Sequence, residues 1–365
     1  MGLMLISFSW VAGWSWLEYR NALSETAVVT QTITFEVEKG DSLSRIADKL
    51  RVQQVQLKPF WFKVIAVLNG TYNKIKTGEY ELKSGLTAAQ ILNVLAHGKT
   101  KQYAITFLEG WSLNELLQAM ANNPNLEHQL RSSDASVLME EVGIGQKRAA
   151  NCLRLTEDKF LFLPSPLDCP EPSLLEAALP DFVALAEGLF FPDTYFFEKH
   201  TTDKALLKRA FTKMQSVIQQ EWPRRVDGLP FQSPYQALIM ASIVEKETGE
   251  KSERPLIAGV FIRRLQKDML LQTDPTVIYG MGDHYRGNIG VNDLKTLTPY
   301  NTYLVKGLPP TPIAMPGREA IVAALHPDQS DNLYFVSRGD GTHEFSATLK
   351  AHNRAVKTYQ KKKRG

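Results

Sequence analysis

The chain has 365 residues, of which 44% are hydrophobic and 22% are charged, so it can bury a large core and form two or three domains. Its 42 basic and 39 acidic residues leave a net charge of only +3, which is too balanced to indicate a nucleic-acid partner. The histidines and the two cysteines show no metal-ligand spacing, so we expect no metal site.

The first apolar segment lies at the N-terminus. Residues 2–17 include no charged side chain, and three tryptophans gather toward the distal end, as they do at a membrane interface. We therefore predict a membrane helix over residues 1–19 and a polar linker over residues 20–31. A cleaved signal peptide is the alternative, but the bulky and charged residues 18–20 make a poor cleavage site.

The next region, residues 32–122, is predicted to be a compact α+β region. Apolar alternation and helical spacing give the order strand, helix, helix, strand at its start. These elements are strands at 32–38 and 78–82 and helices at 43–50 and 58–68. The order, with the turn Gly40-Asp41-Ser42 after the first strand, resembles LysM modules, which bind N-acetylglucosamine polymers. Any small α+β unit with a Gly-Asp turn is the alternative.

Two capping boxes predict further helix starts in this region. Thr87 is followed by Gln90, and Ser112 by Glu115, each just before an apolar periodic segment. Alternating apolar residues over 103–107 predict a strand between the two helices. The region therefore continues with a helix, a strand and a helix.

The second half of the chain holds most of the candidate site residues. Residues 123–180 are rich in proline and are predicted to be a connecting region with an insertion. Whether Cys152 and Cys169 pair within it stays open. A larger mixed α/β domain is predicted over residues 181–360, followed by a basic tail over 361–365.

A buried helix in this domain ends in two glutamates. Ser233 and Pro234 predict its start, and Gly249 predicts its end. Glu245 and Glu247 lie in the last turn, near the negative end of the helix dipole, where the ionised carboxylate is disfavoured. Such a group suits a general acid. The two side chains point in opposite directions, and periodicity does not decide which one faces a cleft; two solvated glutamates are the alternative.

Two irregular segments downstream combine hydroxyl, amide, carboxylate and aromatic groups. Sugar sites use aromatic faces and short polar side chains on loops held by prolines, although ordinary turns give similar strings. The candidate substrate-binding residues are Gln272, Thr273, Asp274, Tyr300, Asn301 and Thr302.

Four longer motifs resemble those of one family. They are ASIVEKET at 241–248, LQTDPTVIYGMG at 271–282, YNTY at 300–303 and GLPP at 307–310. Together they are similar to the endolytic murein transglycosylases, the YceG-like family. The resemblance implies that Glu245, the first glutamate of the pair, is catalytic and that no cofactor is needed. It also implies a single anchor in the inner membrane, a periplasmic catalytic domain and partnership with peptidoglycan synthases.

The implied reaction is cleavage of the bond between N-acetylmuramic acid and N-acetylglucosamine in nascent peptidoglycan strands. It leaves 1,6-anhydro ends, which would terminate strand elongation. A muramidase that uses Asp274 as a second carboxylate is the enzymatic alternative, because hydrolysis needs two carboxyl groups. A membrane-tethered glycan-binding scaffold is the alternative without catalysis.

Overall fold

The structure, a computed structural model, describes residues 2–24, 29–131, 138 and 186–360. Within this part the chain is a mixed α/β protein whose strands form small two-stranded sheets. Both cysteines, most of the predicted connecting region and the basic tail lie outside the described residues. The predictions made for them are therefore untested.

The chain divides into two compact units. The first unit comprises Met1–Ala104, Asn125–Glu127 and Phe196–Thr201, and the second comprises Ile105–Pro124, His128–Tyr195 and Thr202–Gly365. The second unit thus includes residues 105–122, which the sequence pattern had placed in the preceding α+β region. The assignment matters for the candidate active site, because Glu109 in this segment contributes a carboxylate to it.

The first unit has the predicted order of strand, helix, helix, strand. Up to residue 100, its helices and strands are α1 (Gly2–Ser24), β1 (Ile33–Val37), α2 (Leu43–Val52), α3 (Pro59–Leu68), β2 (Gly78–Leu82) and α4 (Ala88–His97). The short strand Leu126–Glu127 also belongs to this unit. Strands β1 and β2 are antiparallel, and Phe35 lies opposite Tyr80 at the centre of the pair. Both aromatic side chains are buried, so the inner face of this sheet forms part of the core. The likeness to LysM modules stays a prediction.

Helix α1 is longer than the predicted membrane segment. None of the described helices combines the length and the hydrophobicity of a membrane span. The predicted transmembrane anchor is therefore not confirmed. The end of α1 packs on α3: the rings of Tyr19 and Trp61 lie 6.0 Å apart, and Lys58 Nζ donates to Glu18 Oε2 at 2.8 Å.

The second unit is built around buried helices. The remaining elements of the chain are β3 (Gln102–Thr106), α5 (Leu113–Ala121), β4 (Leu126–Glu127), β5 (Thr194–Glu198), β6 (Thr201–Thr202), α6 (Asp203–Glu221), α7 (Pro234–Glu247), α8 (Arg254–Gln266), α9 (Asp274–Met281), α10 (Arg318–Leu325), β7 (Tyr334–Ser337), β8 (His343–Ser346) and α11 (Leu349–Tyr359). Helix α7 packs against α8, α9 and α10. Its residues from Ala237 to Val244 are all buried, as predicted from the apolar residues on every side of this helix.

Both predicted capping boxes are present. Thr87 Oγ1 accepts from the backbone N–H of Gln90 at 3.3 Å, and Gln90 Oε1 accepts from the N–H of Thr87 at 2.9 Å. Ser112 and Glu115 make the same reciprocal pair at the start of α5. Each box satisfies backbone N–H groups that a helix start leaves without a partner.

Removing the hydroxyl of the first box should weaken α4. We expect Thr87→Ala to lower the free energy of unfolding by about 1 kcal/mol, because the N–H of Gln90 loses its acceptor. Thr87→Ser keeps the hydroxyl and should unfold close to the wild type. Equilibrium urea unfolding checks both variants; equal midpoints for all three proteins would mean that the box adds no stability.

Candidate active site

Glu245 lies where the ends of three helices meet. Its side chain is 5% exposed, and Oε1 accepts from Arg254 Nη2 at 2.7 Å. Oε2 accepts from the backbone N–H of Gly317 at 2.9 Å. Arg254 begins α8 and Gly317 precedes α10, so the last turn of α7 is fixed by the first residues of two neighbouring helices.

Two opposing influences act on the Glu245 carboxyl. Burial raises its pKa, while the Gly317 N–H and the Arg254 guanidinium lower it. The negative charges of Glu109 and Glu319 raise the pKa further, and the net shift is upward. Glu245 therefore keeps its proton to a higher pH than an ordinary glutamic acid, which suits a general acid.

Arg254 connects Glu245 to two further carboxylates. Its Nη2 lies 3.5 Å from Glu109 Oε2, and its Nη1 lies 3.7 Å from Glu319 Oε2. The guanidinium is 4% exposed, whereas the Glu109 and Glu319 side chains are 39% and 53% exposed. We call Glu109, Glu245, Arg254, Gly317 and Glu319 the Arg254 cluster. Among these residues, only Glu245 was predicted from the sequence.

The turn that carries Glu109 is held by backbone hydrogen bonds. Gly110, at φ +77°, donates its N–H to the carbonyl of Met315 at 2.9 Å, and the N–H of Met315 donates to the carbonyl of Trp111 at 2.7 Å. Lys246 Nζ donates to the carbonyl of Gly110 at 3.1 Å. The Glu-Gly-Trp string, with a glycine that needs positive φ, is the one sequence signal that marks this turn.

Glu247 points away from the Arg254 cluster, as the helical spacing predicts. Its Oε2 accepts from Thr273 Oγ1 at 3.0 Å. Burial raises the pKa of Glu247 to about 7, and the nearby charge of Asp274 adds to the effect. The structure thus separates the two glutamates: Glu245 joins a charged cluster with exposed carboxylates, and Glu247 supports the loop that precedes α9.

The predicted substrate-binding residues come together, but most of them are buried. The N–H of Gln272 donates to the carbonyl of Thr302 at 3.0 Å, and the N–H of Thr273 donates to Thr302 Oγ1 at 3.1 Å. Asn301 Nδ2 donates to backbone carbonyls, and the Tyr300 hydroxyl bonds to that of Thr311 at 2.8 Å. Thr273, Tyr300, Asn301 and Thr302 are buried, and their hydrogen bonds hold two loops together. Their role in substrate binding stays a prediction.

Gln272 and Asp274 are the exposed members of the predicted set. Asp274 Oδ1 accepts from the Tyr303 hydroxyl at 2.6 Å. The contacts of the described residues do not bring Asp274 to Glu245; the carboxylates that share Arg254 with Glu245 are Glu109 and Glu319. The second carboxylate expected for a muramidase therefore has a better candidate in Glu109 than in Asp274.

Glu187 is a buried carboxyl within the same unit. Its two oxygens accept from the N–H of Leu113 at 2.9 and 3.1 Å, which caps the start of α5, and the Tyr279 hydroxyl donates to Oε2 at 3.2 Å. Burial raises the pKa of Glu187 to about 7. Two aromatic residues that follow Glu187 in the sequence, Phe190 and Tyr195, are buried and fill the core.

Comparison with known proteins identifies the family. Residues 35–358 match the YceG-like family. The chain belongs to this family. It is 32% identical to the endolytic murein transglycosylase of Bacillus subtilis (strain 168) over 335 residues, which cover 90% of this chain and 85% of that protein. The predicted resemblance is thereby confirmed.

Two further relatives extend the comparison. The endolytic murein transglycosylase of Streptococcus pneumoniae serotype 2 (strain D39 / NCTC 7466) is 26% identical over 84% of this chain, which spans 54% of that protein. A crystal structure of a yceG-like protein from Listeria monocytogenes has 29% sequence identity and a TM-score of 0.50, covering 89% of this chain and 99% of that one.

The buried carboxyls of this YceG-like chain should make its stability depend on pH. Glu187 has a folded-state pKa of about 7, above its ordinary value of 4.5. Its contribution is therefore fully present below pH 4.5 and is lost as the pH rises through 7. By pH 8 the ionised Glu187 should lower the free energy of unfolding of the wild type by on the order of 3 kcal/mol. Glu187→Gln keeps an acceptor for the Leu113 N–H and should not show this loss.

The check is urea unfolding of both proteins between pH 5 and 8. The difference between their free energies of unfolding should move in favour of Glu187→Gln as the pH rises. Glu250→Gln, which removes an exposed carboxyl whose pKa is lowered, is the control and should not show this gain. Parallel curves for Glu187→Gln and the wild type would show that burial of Glu187 does not shift its titration.

Proposed function

We propose that the protein is a lytic transglycosylase that cleaves peptidoglycan glycan strands, with Glu245 as its acid and base. The observation that carries the proposal is the Glu245 carboxyl, buried in the last turn of α7 and paired with Arg254 beside two exposed carboxylates. Support for the reaction comes from relatives named endolytic murein transglycosylases, one of which aligns with 90% of this chain.

In the first step, protonated Glu245 donates to the glycosidic oxygen between N-acetylmuramic acid and N-acetylglucosamine. The C1–oxygen bond breaks, and C1 gains oxocarbenium character. In the second step, the Glu245 carboxylate takes the proton of the muramoyl C6 hydroxyl, whose oxygen closes on C1. The product is a 1,6-anhydro end, and the enzyme returns to its protonated form. The nucleophile belongs to the substrate, so no second bound molecule is needed.

The contacts of Glu245 suit both steps. Burial and the charges of Glu109 and Glu319 favour the protonated acid before the first step. The Arg254 guanidinium and the Gly317 N–H each bond one carboxylate oxygen, and they stabilise the anion that exists between the steps. Each oxygen accepts one of these bonds and retains capacity for a further one toward the substrate.

Hydrolysis is the second candidate reaction, and Glu109 is the observation that favours it. A muramidase needs two carboxyl groups within about 5 to 9.5 Å, and Glu109 shares one guanidinium nitrogen with Glu245. The products separate the two reactions, since hydrolysis leaves reducing ends and transglycosylation leaves anhydro ends.

We expect Glu245→Gln to lose glycan cleavage by a factor of at least about 100, because an amide neither donates nor accepts the required proton. Purified protein is incubated with sacculi, and the released muropeptides are measured by mass spectrometry. The wild type should release anhydro-ended fragments. Glu250→Gln, an exposed substitution close to the same helix, should cleave as the wild type does.

Three outcomes decide between the candidate functions. Reducing ends from the wild type would replace the transglycosylase with a muramidase. Full cleavage by folded Glu245→Gln would remove Glu245 from the mechanism. Folded wild type that cuts no strand would favour the glycan-binding scaffold, in which the first unit binds N-acetylglucosamine polymers through its LysM-like elements.

We also propose that the protein works in the periplasm, held at the inner membrane by α1, beside the peptidoglycan synthases that make its substrate. Residues 2–17 have no charge, and Trp10, Trp14 and Trp16 are exposed on this helix. The full chain should fractionate with membranes and become protease-accessible in spheroplasts, and a variant without residues 1–24 should be soluble. Recovery of the full chain in the cytosolic fraction would refute this location.

A further inference from the structure

The carboxylate of Glu109 lies against Gly317, in space that a side chain at position 317 would fill. A Cβ atom built on Gly317 would overlap the Oε1, Cδ and Cγ atoms of Glu109. The backbone of Gly317, at φ −75° and ψ 171°, is one that alanine adopts without strain. Glycine at this position is therefore explained by the room it leaves for Glu109 and not by its own backbone conformation.

The same glycine donates its N–H to Glu245. Glu109 and Glu245 therefore both lie next to Gly317. They share Arg254 Nη2, at 3.5 and 2.7 Å, and they are adjacent to Gly317. Arg254 Nε and Nη1 have no hydrogen-bond partner among the described residues. The guanidinium thus presents Nη2 to Glu109 and Glu245 and Nη1, at 3.7 Å, to Glu319, so its charge is shared among three carboxyl groups.

The charges around Glu245 come from four elements. Arg254 on α8 is the cation in direct contact, and Lys246 on α7 bonds the carbonyl of Gly110. Glu319 on α10 lies 3.5 Å from Lys251, which gives it a counter-ion of its own. Among the described residues, Glu109 forms its ion pair with Arg254. Removing the Glu109 charge therefore leaves Arg254 more completely available to Glu245.

We propose that Glu109 is a positioning residue whose carboxylate shares the positive charge of Arg254. Because Arg254 then stabilises the Glu245 anion less, Glu245 holds its proton until the first step of cleavage. The inference rests on the proposed function of Glu245. Glu319 acts on the same guanidinium more weakly, because it lies farther away, is more exposed and is paired with Lys251. No proton passes through Glu109; it sets the charge state of its neighbour.

The test is the dependence of kcat/KM for glycan cleavage on pH, measured on the full chain between pH 4 and 9. In Glu109→Gln the alkaline limb, where Glu245 loses its proton in the free enzyme, should move to lower pH by roughly 0.5 to 1 unit. Glu109→Asp keeps the charge and should retain most of the wild-type profile. Glu319→Gln, the matched comparison, should shift the limb less.

Gly317→Ala gives an independent route to the same result. The added methyl group displaces the flexible Glu109 side chain and keeps the N–H that bonds Glu245, so the limb should again move to lower pH. If Glu109 only stabilised the fold, Glu109→Gln would lower the rate equally at every pH. A limb that stays in place, or moves to higher pH, in Glu109→Gln and Gly317→Ala overturns the proposal.

The two proposals fail in different ways. If the wild type releases no anhydro-ended products, the proposed function itself is wrong. If the wild type releases them and the limb does not depend on residue 109, only the role of Glu109 is wrong.

Discussion

Arg254 is almost fully withdrawn from water, and its guanidinium lies 2.7 Å from the Glu245 carboxyl. A buried charge of this kind is tolerated only with a partner, and removing one member of such a pair typically costs about 3 to 5 kcal/mol. The pair therefore also has a structural role. It joins the end of α7 to the start of α8, and the Gly317 N–H adds the start of α10, so the orientation of three helices and the charge state of one carboxyl depend on the same contact.

Within that contact, the chemistry depends on a balance and not on one dominant influence. Burial favours the neutral acid, while the guanidinium and the backbone N–H favour the anion. A carboxyl that must give a proton and then take one back is best served when neither form is strongly preferred. The exposed carboxylates of Glu109 and Glu319 shift that balance toward the acid without adding another buried charge.

Local sequence signals predicted the parts of this arrangement that depend on near neighbours. Ser112 and Ser233 begin their helices as expected, and Glu245 lies in the last turn of a buried helix. Glu109 and Gly317 could not be found in this way, because they reach Glu245 only through tertiary packing, from 136 and 72 residues away along the chain. Polar residues around positions 272 and 301 were predicted to bind substrate. The structure brings them together, and composition does not show that most of their side chains face inward.

The order of the Arg254 cluster along the chain has a consequence for biogenesis. Its members are contributed by positions 109, 245, 254, 317 and 319, and the first is made long before the last. During synthesis the nascent polypeptide holds Glu109 and then Glu245 and Arg254 while the amide of Gly317 is still to come, and non-local contacts of this kind form late. Assembly of the site thus waits for nearly the whole polypeptide, so a chain still emerging from the ribosome carries its glutamate but lacks the finished surroundings that make it an acid.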